Sequence, residues 1–442
     1  MTPWLLVAAG APLVAALVVL SLREPLRFAL PVYTALIPFG GALSVGSSPF
    51  GSASSLMGLL LGVGLTVQFV TSRRLAPRIA ITVPIWMFFL SLATATALWT
   101  VNRSATLTGL AVLASLIAVF LLVTVSPADR SIVRRTETAL LVGSTGAVAY
   151  GLFQLVFQGG LADDTGAAVA EGGRFGNGLL GPNILAVTLL VPLAIAVNRA
   201  YNPHDHGRRV THLVVAVLML AGILMTGSRT GTLGAGVVAL VMLWAIPRDA
   251  RRPLAASLLV GAAATGLVWI THPFGIAERS FESVTSSSGR LDIWQVGVAA
   301  CADHCAFGSG WGTFPDVYAA TQASVPGARV LTGEDGSYQP HNLWLLAVIE
   351  LGVAGFVLLV LGVAASAFYA FRLPPDYRVA AVGSVMGLTV GVFFLSSLEF
   401  KMFWIVLTLV SLYRNVALAE QADRIGDVSG EAVRARGEPR KT

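Results

Sequence analysis

Charge is scarce in this chain. Asp, Glu, Lys and Arg make up 12% of its 442 residues, while 55% are hydrophobic and the mean hydropathy is +0.76. Soluble domains carry roughly 25% charged residues, so this balance excludes a water-facing globular domain. The core of such a chain is buried in lipid. Lysine is almost missing, with Lys401 and Lys441 the only two among 29 basic residues. Together with abundant Ala, Gly and Val, that skew points to a GC-rich coding sequence and says nothing of function. A P-loop, a dinucleotide-binding glycine fingerprint and an HExxH zinc motif are all lacking, and no soluble catalytic domain is appended. The two cysteines, Cys301 and Cys305, bracket Asp303 and His304 in CADHC, with no second ligand cluster to complete a zinc site. A disulfide is open to them in an oxidising compartment, but i, i+4 on a regular helix is poor disulfide geometry, so two free thiols are the default expectation.

What the chain has is long apolar runs. A membrane span needs ~20 mostly apolar residues. Thirteen candidates fall near 3–21, 28–45, 53–71, 79–99, 105–126, 137–157, 180–198, 210–227, 231–246, 254–271, 342–371, 379–397 and 401–414. The first run has no basic segment before it and is expected to stay as a helix rather than act as a signal peptide. With the N-terminus outside and the spans alternating, 22 of the 29 Lys and Arg residues fall on inner segments. This is the positive-inside pattern. It accounts for the isoelectric point of 9.7 without a nucleic-acid partner. The expected architecture is an all-α polytopic membrane protein of twelve to thirteen transmembrane helices. Its parts are spans within 1–271, a long outer loop at 272–341 carrying an amphipathic helix, spans within 342–416, and a polar, disordered inner tail at 417–442.

Seven basic residues remain outside: Arg103, Arg174, Arg229, Arg279, Arg290, Arg329 and Lys401. Arg229 sits in TGSRTG, a link too short for a solvated loop between two spans. Glycines flank it, and the N–H groups opening the next helix point the same way. It is either an anion site at a helix N-terminus or an arginine reaching the headgroups. In GRLDIWQVGVAACADHC, Arg290 and Trp294 fall one helical turn apart, with Val298 and Cys301 continuing the stripe. The following AFGSGWGTF reads either as a phosphate cradle or as a flexible turn. In YQPHNLWLLAVIELGVAGF, His341 stands where the long loop enters the membrane, poised as a general base or serving as a helix cap. Glu350, about 900° further round the helix, reads as a packing residue that needs a partner in the membrane. Glu399, in SSLEFKMF, can hold His341 or an outer arginine, or pair with its neighbours.

Four stretches taken in order, RFGNGLLGPNILAV (174–187), GSRTG (227–231), GRLDIWQVGVAACADHCAFGSGWGTF (289–314) and PHNLWLLAVIELGVAGF (340–356), resemble the O-antigen ligase and Wzy-type polymerase superfamily. The likeness covers roughly 174–410, and Cys305 stands where that family often has proline. The resemblance implies a GT-C-like fold in the cytoplasmic membrane with its active site on the outer face. It implies an inverting glycosyltransferase that moves a glycan from an undecaprenyl-diphosphate carrier to the hydroxyl of a glycan, lipid or protein acceptor, without cofactor or metal. Arg229 and Arg290 would hold the diphosphate and His341 would activate the acceptor. Arg174, Ser228, Trp294, Asn342 and Glu399 would contact substrate or support the site. A polymerase using the same site is an alternative, and a transporter or flippase of a lipid-linked or anionic solute is an alternative of another class.

Overall fold

The computed structural model describes residues 3–44, 50–72, 76, 78–157, 175–176, 179–202, 207–245, 290–327, 338–396 and 398–437. Among these residues there are helices and no strands, apart from one isolated bridge between Ser44 and Ser52. We number the α-helices α1 (Pro3–Arg23), α2 (Leu30–Leu36), α3 (Ala53–Ser72), α4 (Thr82–Ala95), α5 (Arg103–Val125), α6 (Arg130–Phe157), α7 (Pro182–Tyr201), α8 (Arg209–Met225), α9 (Arg229–Ala245), α10 (Arg290–His304), α11 (Phe314–Thr321), α12 (Leu343–Arg372), α13 (Pro375–Val392) and α14 (Lys401–Gly437). Five stretches, α3, α5, α7, α12 and the Lys401–Arg424 part of α14, are long and apolar enough to cross a membrane.

Twelve of the thirteen expected spans coincide with described helices, and the tenth lies outside the described residues. Two expectations change. The second span is not one helix: a π turn at Pro25–Ala29, the short α2 and a 3-10 segment at Ile37–Leu43 follow one another, interrupted at Pro25, Pro31 and Gly40. The tail expected to be disordered continues α14 as far as Gly437. Its AEQADR and EAVRAR stretches are good helix formers, and extending an existing helix avoids the nucleation cost.

Burial sorts the helices into layers. In α7, 89% of the apolar window is inside the protein, against 28% in α3 and 33% in α5, so α7 is the axis and α3 and α5 face lipid. A helix apolar all round is stable only when enclosed, and α6, α8, α9 and α13 enclose this one. Close approach uses small residues, as in other membrane bundles. The stripe Gly383, Gly387 and Gly391 of α13 lies against Ala194, Leu190 and Val187 of α7, where a side chain at Gly391 would collide with Val187.

The ends of the helices meet as alternation requires. At one end Lys401 bonds Ser52, Ser54 and Ser55, and the His341 amide bonds Ser396. At the other, Arg27 pairs with Asp129, Arg130 with Asp376 and Glu420, and Arg414 bonds the carbonyl of Arg78. Segments expected on one side of the membrane thus gather at one end of the bundle.

Candidate functional site

The site at the first of these ends is assembled from three elements. One is the turn between α8 and α9. Gly227 there has φ +61°, a left-handed conformation that glycine adopts without penalty. Thr226 closes the end of α8 by donating to the Ile223 carbonyl at 2.6 Å, and its hydroxyl accepts from the Ser228 amide at 3.1 Å. Ser228 is the N-cap of α9: its buried hydroxyl accepts from the Gly231 amide at 3.2 Å. Ser228 thus fixes the start of α9 beside Arg229. Arg229, the first residue of α9, is exposed.

The second element is α10, and Arg290 is its first residue. The helix forms as expected, but the face it buries is Ile293, Val296, Gly297 and Ala300, with Gly297 against Leu345 and Ile349 of α12. Val298 is 64% exposed, so the stripe running from Arg290 through Trp294 to Cys301 is not the packed face. Trp294 instead reaches across and donates its indole N–H to the Pro340 carbonyl at 2.6 Å.

The third element is the entry to α12. Asn342 is its N-cap, with Oδ1 accepting from the amides of Trp344 and Leu345, both at 3.0 Å. His341 just before it has φ +46°, the one non-glycine positive φ among the described residues. Such a conformation costs energy and persists only where its surroundings impose it. Here the constraints are explicit. Trp294 holds the carbonyl before His341, Ser396 accepts its amide at 2.5 Å, and Asn342 fixes the helix after it. Neither the capping role of Ser228 nor the partnership of His341 with Ser396 was anticipated; the only trace of the latter is the Ser-Ser pair in FFLSSLEF.

These elements place Arg290 within electrostatic range of both Arg229 and His341. Desolvation, then the positive charge of Arg229, lowers the pKa of Arg290. Desolvation, then the charge of Arg290, lowers that of His341 from its usual 6.5. His341 is solvent-exposed, yet enough protein surrounds it to disfavour the imidazolium. Both effects favour the neutral imidazole, the form able to accept a proton. None of the ion pairs between described residues involves Arg290.

The glycine-rich turn is neither an open cradle nor flexible. Glu350, buried in α12, accepts from the Gly312 amide at 2.8 Å and the Phe314 amide at 2.9 Å. The helix is broken at Gly352, with φ +70°. The carbonyls freed by the break, those of Ile349 and Glu350, accept from Ser309 and Gly310 at 2.9 and 3.0 Å, and the Val353 amide donates to Cys305 at 2.8 Å. Loop backbone thus fills the break. Cys301 and Cys305 form a disulfide, correcting the expectation of free thiols. Because α10 ends at His304, Cys305 is off the regular helix, and the Cα atoms are only 4.5 Å apart. A disulfide also removes the thiolates a zinc ion would need.

Glu399 is electrostatically coupled to Glu350, and desolvation raises its pKa. Lys401 is saturated by three serine hydroxyls at 2.7–2.8 Å. Arg103 opens α5. Arg174, Arg279 and Arg329 lie outside the described residues.

Residues 214–360 match the family model described as O-Antigen ligase. Over this region the chain is similar to the O-antigen ligase family. The match, about a third of the chain, contains the α8–α9 turn, α10, the clamped loop and the entry to α12. It supports the O-antigen ligase/Wzy superfamily and with it a ligase- or polymerase-like membrane enzyme of the glycosyltransferase type. The comparison with curated proteins gives no match. Arg229, Arg290 and His341 all lie inside the matched region.

Proposed function

We propose that this protein transfers a glycan from a lipid diphosphate carrier to an acceptor hydroxyl at the Arg229–Arg290–His341 site, on the outer face of the cytoplasmic membrane. The observation that supports the reading is that Arg290 feels the charge of Arg229 and is felt by His341, although the three are spread from 229 to 341 in sequence. Two adjacent guanidiniums repel each other unless an anion comes between them, and a diphosphate accepts from both in fork-like fashion. The neutral His341 takes the proton of the acceptor hydroxyl. The acceptor oxygen forms a bond to the anomeric carbon as the bond from that carbon to the phosphate oxygen breaks, and the lipid diphosphate leaves with its charge held by the arginines. A single in-line displacement inverts the anomeric centre.

The break at Gly352 also bears on the choice between transferase and transporter. Transporters leave the backbone groups of broken helices facing a cavity, where they bind ions or substrate. Here loop backbone consumes those groups, which favours a fixed reaction site.

The test pairs carrier binding with product formation in wild type, His341→Ala and Arg290→Ala. Loss of a general base costs ~10²–10⁴ in rate, so His341→Ala is expected to keep carrier affinity and lose turnover. Arg290→Ala is expected to lose both, because the diphosphate is stabilised in the ground state and more so in the transition state. Transfer by His341→Ala at the wild-type rate from pH 6 to 9 would remove the base assignment. Movement of intact carrier-linked glycan by wild type, with no bond formed to any acceptor, would make the protein a transporter.

A further inference from the structure

A second basic site lies at the opposite end of the bundle. The helix α12 starts beside His341 and ends at Arg372, 30 residues later. The part beyond the break at Gly352 alone covers about 30 Å at ~1.5 Å per residue. Around its far end is a cleft of ≈ 770 Å³ lined by residues of the α3–α4 connection, the α12–α13 corner and α14. That volume falls within the roughly 300–1,000 Å³ of small-molecule sites.

The charge in the cleft is one-sided. Its carboxylates are Asp376 and Glu420, and Arg130 engages both, at 3.1 and 3.2 Å. Four further arginines line it: Arg78, Arg372, Arg414 and Arg424. Among the described residues none of the four meets a carboxylate. Two are positioned by aromatic rings, which hold a guanidinium without cancelling its charge. Arg372 lies 4.2 Å over Phe368 and Arg414 lies 4.8 Å over Tyr369. Tyr369 is itself tied down, accepting from the Ile81 amide at 3.0 Å. Arg414 is further oriented by donating to the Arg78 carbonyl at 2.9 Å. These guanidiniums are held in place with their charge unspent.

We infer that this cleft binds the phosphate of an anionic lipid headgroup from the adjoining leaflet. The rim supplies the membrane-side argument. Phe368 is 50% exposed and Phe371 44% exposed on the last turns of an apolar span, the depth at which aromatic residues mark the boundary between hydrocarbon and headgroups. A phosphate beside Arg372 and Arg414 places its acyl chains along these rings. By the positive-inside pattern this end faces the cytoplasm, where anionic lipid and basic clusters meet. Nothing in the inference depends on glycan transfer.

The test is native mass spectrometry of the delipidated full-length protein titrated with phosphatidylglycerol, phosphatidylcholine or inorganic diphosphate. Wild type is expected to retain phosphatidylglycerol over phosphatidylcholine. Arg372→Gln/Arg414→Gln is expected to bind it about 30-fold more weakly, from the usual contribution of two basic residues at a membrane surface. Should the double variant fail to fold, the exposed Arg424→Gln reads the same site with an expected loss of about 5-fold. Competition by diphosphate alone at equal concentration would keep the phosphate site and assign it to a soluble ligand. Equal retention of the two lipids, or undiminished phosphatidylglycerol binding in the variants, would overturn the inference.

Discussion

Arginine is used in two opposite ways in this molecule. Near the α6–α7 end of the bundle, Arg199 is buried with every group satisfied. Its Nε and Nη2 reach Glu137 at 2.8 and 2.7 Å, Nη1 donates to Thr138 at 2.8 Å, and Nη2 also donates to the Arg134 carbonyl at 2.8 Å. The second oxygen of Glu137 accepts from the Tyr413 hydroxyl at 2.6 Å. Near His341, by contrast, Arg290 makes no ion pair among the described residues and its nearest charge effects are repulsive. A buried charge costs several kcal/mol unless paired and bonded. The first arrangement meets that cost inside the protein and leaves nothing for a ligand. The half-buried Arg290 has no carboxylate partner among the described residues, and an anion beside it would offset the repulsion from Arg229. The difference separates an arginine that ties helices together from one that the proposed function assigns to the carrier.

The largest expected effect breaks the first side of this contrast. Glu137→Ala strands the Arg199 guanidinium, whose side chain is 10% exposed, and removing one partner of such a pair costs about 3–5 kcal/mol. Thermal unfolding of the purified protein should show a large loss of stability, with carrier affinity per folded molecule unchanged. A variant that melts like wild type would mean that the knot is not structural. Arg229→Lys probes the other side. An ammonium keeps the charge and loses the fork, so most activity should disappear while the melting temperature stays close to that of wild type. Near-normal turnover would make Arg229 an interfacial anchor.

How much of this could be read from the residues follows the same division. The spans were legible because lipid demands long apolar runs, and their alternation because Lys and Arg are counted by side. The meeting of Arg229, Arg290 and His341 was expected from a resemblance of motifs, since no local pattern places residue 229 beside residue 290. What escaped was short-range geometry set by tertiary partners. The α10 stripe through Arg290, Trp294 and Val298 is a valid helical face, yet α12 receives the neighbouring face through Gly297. Glu350 looked like a packing residue because its partners are backbone amides of a distant loop, and amides leave no mark in a sequence. The Glu137–Arg199–Tyr413 knot was hidden among charges that the positive-inside pattern already explained.

The smallest expected effect is a shift in pH dependence, and it asks whether Arg290 acts on His341 as well as on the carrier. As a base, His341 works only when neutral, so activity falls as pH drops through its pKa. Desolvation and the charge of Arg290 set that pKa below 6.5 in the free protein. The acid limb of kcat/KM, which reports the free enzyme, should therefore lie below the ordinary histidine value. Arg290→Gln removes the repulsion and leaves the desolvation, so the limb of its residual activity should move part of the way back, toward higher pH. Bound diphosphate supplies negative charge near the same guanidinium, so in wild type the limb of kcat should lie at higher pH than that of kcat/KM. An identical limb in wild type and Arg290→Gln would mean that the two residues do not share a site during turnover. It would leave Arg290 as a residue for binding the carrier alone.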